Sequence, residues 1–169
     1  MPDLVLKSPY LADGASMPML NVHGDVGGAD LSPALSWEGA PEGTRSFAIT
    51  CFVPDEPTGV GFVHWLIFNL DGAINALEEG AGSIGSAPEQ SELGFTDCGV
   101  AGYSGPAPSP ADPPHRYAFT LYALDVNRLD LDGPYTTYAM LQYMMRGHVL
   151  AIATLTPQFQ TPVQGFESV

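Results

Sequence analysis

Two apolar runs that lie close together in the chain, residues 47–53 and 62–70, constrain the fold more than any other feature. Both are rich in Val, Ile, Phe and Trp, the residue types that suit a pleated, buried surface, so we expect both to be strands. The segment between them, PDEPTGVG, favours a turn, because proline fixes φ and glycine accepts positive φ. A third run, residues 117–124, has the same character, and such runs are typical of strands that are covered on both faces. We therefore predict a mainly antiparallel sheet in which these three strands are central.

One ionisable residue, His64, interrupts the second apolar run. Because side chains alternate along a strand, we expect His64 to share a face with Phe62, Leu66 and Phe68. An isolated histidine of this kind is more often a buried residue, satisfied by a backbone carbonyl, than a ligand-binding group. Its position beside a Pro-Asp-x-Pro loop nevertheless makes His64 the first candidate for a functional site.

The composition is that of a single β-rich domain spanning residues 1–169. A chain of 169 residues, 45% of them hydrophobic, is long enough to bury a core, and its 19 glycines and 16 prolines favour turns over a helical bundle. The formal net charge of −14 argues against nucleic acid or an anionic membrane surface as a partner. An anionic ligand would need a local set of hydrogen-bond donors that overcomes this field.

The N-terminal residues and the cysteines bear on the cellular compartment. The stretch MPDLVLKSPY lacks the basic and apolar regions of a signal peptide, and no apolar run reaches the ~18 residues of a membrane-spanning helix. A cytoplasmic location without integral membrane association is therefore expected. Cys51 and Cys98 form neither a disulfide framework nor a CxxC metal site. We expect both thiols to be unpaired, Cys51 in a buried strand and Cys98 in a glycine-flanked loop.

The pattern changes toward the C-terminus, after Asp125. Thr136 or Thr137 can cap a helix that carries Leu141 and several methionines. Residues 148–155 are apolar enough for either a helix or a strand, and periodicity does not decide between them.

Several motifs, taken together, resemble those of one known family. They are, in chain order, LSPALSWEGAPEGTRSFAIT, PDEPTGVGFVHWLIFNL, GYSGPAPSP, PPHRYAFTLYALD and GHVLA. Each motif alone is a weak signal, but together and in this order they resemble the phosphatidylethanolamine-binding protein family. The closer likeness is to its short bacterial, Raf-kinase-inhibitor-like branch, and it spans nearly the whole chain after about residue 20.

The resemblance implies a fold and a site. It implies a mainly β fold, in which a large antiparallel sheet packs on a smaller sheet with a few short helices. It also implies a small surface pocket that accepts an anion such as a phosphate or carboxylate head group. Independently of the resemblance, the sequence has no nucleophile elbow, phosphate-cradling glycine loop or dinucleotide fingerprint, so we expect no catalysis, cofactor or metal. Carried over motif by motif, the pocket residues are Asp55, His64, Gly105, Pro106, His115 and Tyr117.

One position departs from the family's loop motif. Val53 stands where the resemblance implies a first aspartate, and only Asp55 remains. We expect both side chains to project toward the pocket mouth, with Asp55 orienting a histidine. Since valine offers no acceptor to a histidine N–H, the charged imidazole is less favoured than it would be beside an aspartate. Phosphate binding is then expected to strengthen as the histidines protonate, near pH ~6.5 if their pKa values are ordinary.

Simpler interpretations compete with this one at each residue. His115 can be a surface residue at a strand start, and Tyr117 can be a core residue with a wet hydroxyl. Arg116 is expected on the opposite side, as a surface residue. A metal site formed by Asp55, His64, His115 and His148 lacks any HxH, HExxH or paired-cysteine spacing.

Three functional hypotheses follow from the sequence. The first is a non-catalytic binding protein with an anion pocket, of the phospholipid-binding kind. The second is an interaction protein that inhibits a kinase or a protease, with the pocket as a regulatory site. The third is a hydrolase that uses Asp55 and the histidines, or a Cys51–His64 pair, although Cys51 lies in mid-strand without an electropositive setting.

Overall fold

Ten β-strands, one α-helix and three 3₁₀ turns make up residues 3–163, the part of the chain that the computed structural model describes. The strands are β1 (Val5–Lys7), β2 (Leu35–Glu38), β3 (Ser46–Val53), β4 (Phe62–Asp71), β5 (Ala76–Leu77), β6 (Glu92–Leu93), β7 (His115–Arg116), β8 (Ala118–Leu124), β9 (Val149–Leu155) and β10 (Gln158–Phe159). The helix is α1 (Tyr138–Met145), and the 3₁₀ turns are Met19–Asn21, Gly24–Val26 and Gly133–Tyr135.

A five-stranded antiparallel sheet forms the centre of the fold, in the order β6-β4-β3-β8-β9. The three apolar runs predicted from the sequence are β3, β4 and β8, and each has a neighbour on both sides. Two further sheets are present in the described residues, one of three strands in the order β1-β2-β5 and one pairing β10 with β7. These observations confirm the predicted mainly β fold class.

Two hydrophobic cores cover the two faces of the central sheet. The sheet-side core lies between the central sheet and the three-stranded sheet and includes Trp37 and Trp65. The helix-side core lies between the central sheet and α1 and includes Leu66 and Leu141. Burial on both faces explains why β3, β4 and β8 are apolar along their whole length, without the alternation of a half-exposed strand.

The C-terminal elements resolve the two predictions made for that region. Helix α1 follows Thr137, whose hydroxyl accepts a hydrogen bond from the Met140 backbone N–H at 3.3 Å, so the predicted capped helix is confirmed. The ambiguous segment 148–155 supplies β9. Within residues 3–163, no helix is both long and apolar enough to cross a membrane.

Strand β4 carries one extra residue opposite β3, and that residue is the predicted histidine. Cys51 pairs with Trp65, whereas the next residue of β3, Phe52, pairs with Val63, so His64 has no partner in the ladder. A β-bulge of this kind bends the strand and redirects a side chain that strict alternation would place elsewhere.

The bulge leaves His64 on the same face as Phe62, as alternation predicts, but on the face opposite to Leu66 and Phe68. Its ring packs against Phe62 and Tyr117, with centroid separations of 5.0 and 5.4 Å, and both of these belong with the sheet-side core. Leu66 and Phe68 lie in the helix-side core. The expectation that His64 shares a face with Leu66 and Phe68 is therefore wrong, because the extra residue shifts the alternation.

Candidate functional site

A cavity of about 380 Å³ lies at the end of the β3–β4 hairpin where the two strands are connected. His64 reaches it from the bulge of β4, and Glu56 reaches it from the connecting loop 54–61. Its polar lining includes His23, Asp25, Asp30, Glu56, His64 and Cys98, and we call it the His64 cavity.

The His64 side chain is 5% exposed and has a defined proton arrangement. Its Nδ1 lies 2.8 Å from the Ser104 carbonyl oxygen, which can only accept, so Nδ1 carries the hydrogen. Burial lowers the pKa of His64 from 6.5 to about 4, and the hydrogen bond to Ser104 only partly opposes this effect. At neutral pH, His64 is therefore an uncharged imidazole whose Nε2 is a bare acceptor. That Nε2 is buried and has no hydrogen-bond partner among the described residues.

Two further predicted residues, His115 and Tyr117, are buried behind the cavity wall. Tyr117 is 0% exposed, contacts the His64 ring edge-on, and its hydroxyl has no hydrogen-bond partner in residues 3–163. His115 is 2% exposed, and its Nδ1 lies 3.4 Å from Glu56 Oε1, near enough for attraction but without the geometry of a hydrogen bond. Each of the two thus contacts a residue of the lining rather than the cavity itself.

Two hydrogen bonds join the Gly105-Pro106 turn to the segment 23–30, which contributes His23 and Asp30 to the cavity lining. The Gly105 N–H donates to Asp30 Oδ1 at 2.6 Å, and the Pro106 carbonyl accepts from the His23 N–H at 3.0 Å. A Cβ on Gly105 would lie 2.5 Å from the Asn21 carbonyl oxygen and 2.7 Å from the His23 nitrogen. Gly105 lines the cavity, and the close approach of the two backbones explains why only glycine fits there.

Asp55 pairs with Arg116 in the structure and makes no hydrogen bond to a histidine. Its Oδ1 accepts from Arg116 Nη2 at 2.8 Å, and its Oδ2 accepts from Nε at 3.1 Å and from the backbone N–H at 2.8 Å. This two-pronged contact holds the pKa of Asp55 below its ordinary value. Asp55 therefore fixes the 54–61 loop to β7, with Arg116 on the surface. Val53 is fully buried in the sheet-side core and does not reach the cavity.

Several lining residues were not singled out from the sequence. His23, Asp25 and Asp30 come from a glycine-rich stretch that has no strand or helix periodicity, and only their proximity to one another was a signal. Glu56 adjoins Asp55 in the loop, so the loop motif itself could have indicated it. The cavity thus combines three carboxylates with neutral His64, and none of its described lining residues is Lys or Arg.

The thiol near His64 belongs to Cys98 and not to Cys51. Cys98 Sγ lies 3.7 Å from His64 Nδ1, whereas Cys51 is buried in β3, and both thiols are free. Burial raises the pKa of the Cys98 thiol, which disfavours the nucleophilic thiolate. Among residues 3–163, no group of three or more His, Cys, Asp or Glu side chains is arranged to hold a metal ion.

Comparison with known proteins assigns the chain to a family. The family model for phosphatidylethanolamine-binding protein matches residues 7–160. The chain belongs to the phosphatidylethanolamine-binding protein family. It is 40% identical over 157 residues to the protein YbhB of Escherichia coli, covering 91% of this chain and 98% of that protein. The family assignment predicted from the motifs is confirmed.

Two solved structures share the fold of this chain. The crystal structure of E. coli YbcL, described as a new member of the mammalian PEBP family, superposes with a TM-score of 0.89 at 32% identity, covering 94% of this chain and 99% of that one. Carboxypeptidase Y inhibitor, solved in complex with its cognate proteinase, has a TM-score of 0.56 at 15% identity, covering 94% of this chain and 82% of that one. At that identity the second likeness shows the fold alone.

Proposed function

We propose that this protein is a non-catalytic binding protein whose His64 cavity holds the head group of a small ligand that carries a phosphate or carboxylate. One observation carries the proposal: the buried His64 Nε2, which belongs to a residue of the cavity lining, has no hydrogen-bond partner in the described residues. Behind the wall, His115 Nδ1 and the Tyr117 hydroxyl also lack partners in those residues. Most buried polar groups are hydrogen-bonded, and leaving one unpaired costs about 1–3 kcal/mol. A bound head group would supply a partner for His64 Nε2.

The protonation of His64 restricts which anion can bind. A fully ionised oxyanion offers only acceptors, and neutral His64 offers a bare acceptor at Nε2, so the two repel unless a proton joins them. Binding of such an anion is therefore coupled to proton uptake by His64. A ligand that brings its own O–H, such as a singly protonated phosphate, avoids this requirement.

The carboxylates of the lining favour a ligand that also carries a positive group. Asp25, Asp30 and Glu56 surround the same cavity, and a bare dianion would be repelled by all three. A zwitterion can direct its ammonium group to these carboxylates and its phosphate to His64. Phosphoethanolamine has this form, and it is the head group in the name of the family that the chain matches.

The residues described at and behind the His64 cavity include no activated nucleophile, which supports a non-catalytic role. Burial raises the pKa of both the Cys98 thiol and the Tyr117 hydroxyl, so both stay protonated at neutral pH. Neutral His64 has its Nδ1 hydrogen bonded to a carbonyl, with no carboxylate oriented against the ring as in a catalytic triad. Turnover of p-nitrophenyl esters or phosphates that is lost in His64→Gln would contradict this part of the proposal.

We expect phosphoethanolamine to bind more tightly than either inorganic phosphate or ethanolamine alone, by about tenfold or more, because only the zwitterion satisfies both halves of the cavity. The measurement is calorimetric titration of the full chain at pH 6.5, together with NMR detection of the His64 imidazole resonances. In His64→Gln the affinity should fall by about tenfold. His148→Gln is the matched control, because His148 is half-exposed and pairs with Asp125 at 2.9 Å outside the cavity.

Two outcomes would count against the proposal. If none of the three compounds shifts the His64 resonances, the cavity does not bind head groups. If ethanolamine binds as tightly as phosphoethanolamine, the cavity is a cation site and the anionic half of the proposal fails. A partner kinase or protease that is inhibited equally by the native protein and His64→Gln would favour the interaction-protein alternative.

A further inference from the structure

A second cavity, of about 590 Å³, lies at the opposite end of β3 and β4 from the His64 cavity. Arg45 immediately precedes β3, and β4 ends at Asp71, and both residues line this cavity. The eight residues of β3, at ~3.3 Å per residue, place it about 25 Å from the His64 cavity. Its polar lining includes Arg45, Asn69, Asp71, Gln90, Asn127 and Arg128.

Two of the five Lys and Arg residues of the chain line this cavity, although the formal net charge of the chain is −14. Arg128 is held in place, because its Nη1 donates to the Gln90 carbonyl at 3.2 Å and its Nη2 donates to Glu92 Oε2 at 3.0 Å. Glu92 is itself fixed by a hydrogen bond from Asn69 Nδ2 at 2.8 Å. The guanidinium of Arg128 is thus oriented before any ligand arrives, with further N–H groups left to donate.

Arg45 has a fixed backbone and an unpaired side chain. Its N–H donates to the Leu124 carbonyl at 2.8 Å, and its carbonyl accepts from the Gly72 N–H at 3.0 Å. Its guanidinium makes neither an ion pair nor a hydrogen bond with any side chain or carbonyl of residues 3–163. In the same residues Lys7, Arg116 and Arg128 each have a carboxylate partner.

Two non-glycine residues with positive φ lie at this cavity. Only three non-glycine residues of the described chain have positive φ, namely Asp30, Asn69 and Gln90 at 57°, 57° and 68°. Asp30 lines the His64 cavity, and the other two line the second one. Left-handed backbone at non-glycine positions costs free energy and is concentrated at functional sites. The Gln90 conformation also directs its carbonyl to Arg128.

We propose that this second cavity, the Arg45–Arg128 cavity, is a binding site for a small molecule that carries a carboxylate or phosphate group. The two arginines of the lining offer guanidinium groups, whose planar, two-pronged arrangement of donors matches such an oxyanion. Asp71 and the amides of Gln90 and Asn127 then select ligands with additional hydroxyl or amine groups. This site is independent of the His64 cavity and of the function proposed for it.

Sulfate is the probe of choice, because its charge is constant between pH 5 and 8. In an NMR titration of the ¹⁵N-labelled full chain, we expect saturable shifts of the Arg45 side-chain Nε–H and the Gly72 amide. The affinity should agree within about twofold at pH 6 and pH 8, because arginine does not titrate in this range. Succinate and glycerol phosphate, titrated in parallel, would distinguish a carboxylate ligand from a phosphate ligand.

Arg45→Gln should weaken sulfate binding at this cavity by about tenfold or more. Arg146→Gln is the matched control, because it removes the same charge from an arginine that stacks over the Tyr143 ring, 5.9 Å from its centroid, outside this cavity. The control should change the affinity by less than twofold. Equal weakening in both variants would reduce the effect to overall charge and overturn the proposal. Shifts that never saturate in the native protein would overturn it as well.

Discussion

Replacing Gly105 with alanine is expected to lower the free energy of unfolding by about 3 kcal/mol and to abolish head-group binding in the His64 cavity. The added Cβ would lie 2.5 Å from the Asn21 carbonyl oxygen and 2.7 Å from the His23 nitrogen. Both are backbone atoms, so no side-chain rotation relieves the contact, and the 21–23 segment must move. That movement also breaks the 2.6 Å hydrogen bond from Gly105 to Asp30, which shapes the cavity wall.

Gly24→Ala provides the matched control for this prediction. Gly24 lies in the neighbouring 3₁₀ turn Gly24–Val26, and a Cβ added there meets no atom within 4 Å. Urea unfolding monitored by Trp fluorescence should therefore give a native-like midpoint for Gly24→Ala and a much lower one for Gly105→Ala. Equal midpoints would mean that the Asn21–His23 segment yields to the added methyl group, and that the close approach of the two backbones is not required.

The strands were predictable because their burial is uniform. In β3, β4 and β8 both faces pack against a core, so the apolar character is continuous and does not depend on which face each residue occupies. The same uniformity hides the β-bulge. Nothing in the sequence of β4 marks His64 as an extra residue, since the bulge is a property of its pairing with Cys51 and Phe52 of β3.

The site was predictable only where its residues adjoin a regular element or a family motif. His64 and Tyr117 are of this kind, and the structure brings their rings into contact. Asp30 is 75 residues from Gly105 in sequence, and their hydrogen bond follows from the fold as a whole. The motif that contains Asp55 was evident in the sequence, but the partner of Asp55 was not. That partner, Arg116, is 61 residues away, and only the structure shows that Asp55 pairs with it and not with a histidine.

Acidification from pH 7 to pH 4 is expected to destabilise the protein by roughly 3 kcal/mol through His64 alone. Burial lowers the pKa of His64 from 6.5 in the unfolded chain to about 4 in the folded protein. Between these values the unfolded chain binds the proton and the folded protein does not, so the free energy of unfolding falls as the pH falls. The contribution of uncharged His64 to the free energy of unfolding is complete above pH 6.5 and is lost near pH 4. The difference between the two pKa values of His64, at ~1.4 kcal/mol per pKa unit, sets the size of this loss in the free energy of unfolding.

Comparison with His64→Gln isolates this effect from the titration of the carboxylates. Glutamine keeps an N–H that can donate to the Ser104 carbonyl but does not titrate, while every aspartate and glutamate is common to both proteins. Urea unfolding at several pH values from 7 to 4 should show the native protein losing roughly 3 kcal/mol more than the variant. Parallel pH profiles would mean that His64 is protonated in the folded protein, and that the cavity is more polar than its burial indicates.

The same low pKa should set the pH dependence of the anion binding that we propose for the His64 cavity. An oxyanion stabilises the imidazolium and raises the pKa of His64 in the complex, so binding takes up a proton and tightens as the pH falls toward 4. The affinity for the anion is therefore expected to change at a lower pH than the value of 6.5 that an ordinary histidine would give. Sulfate titrations at pH 5 and pH 7, followed at the His64 resonances, should show tighter binding at pH 5 by about tenfold. A pH-independent affinity at those resonances would show that anion binding in this cavity is not coupled to the protonation of His64.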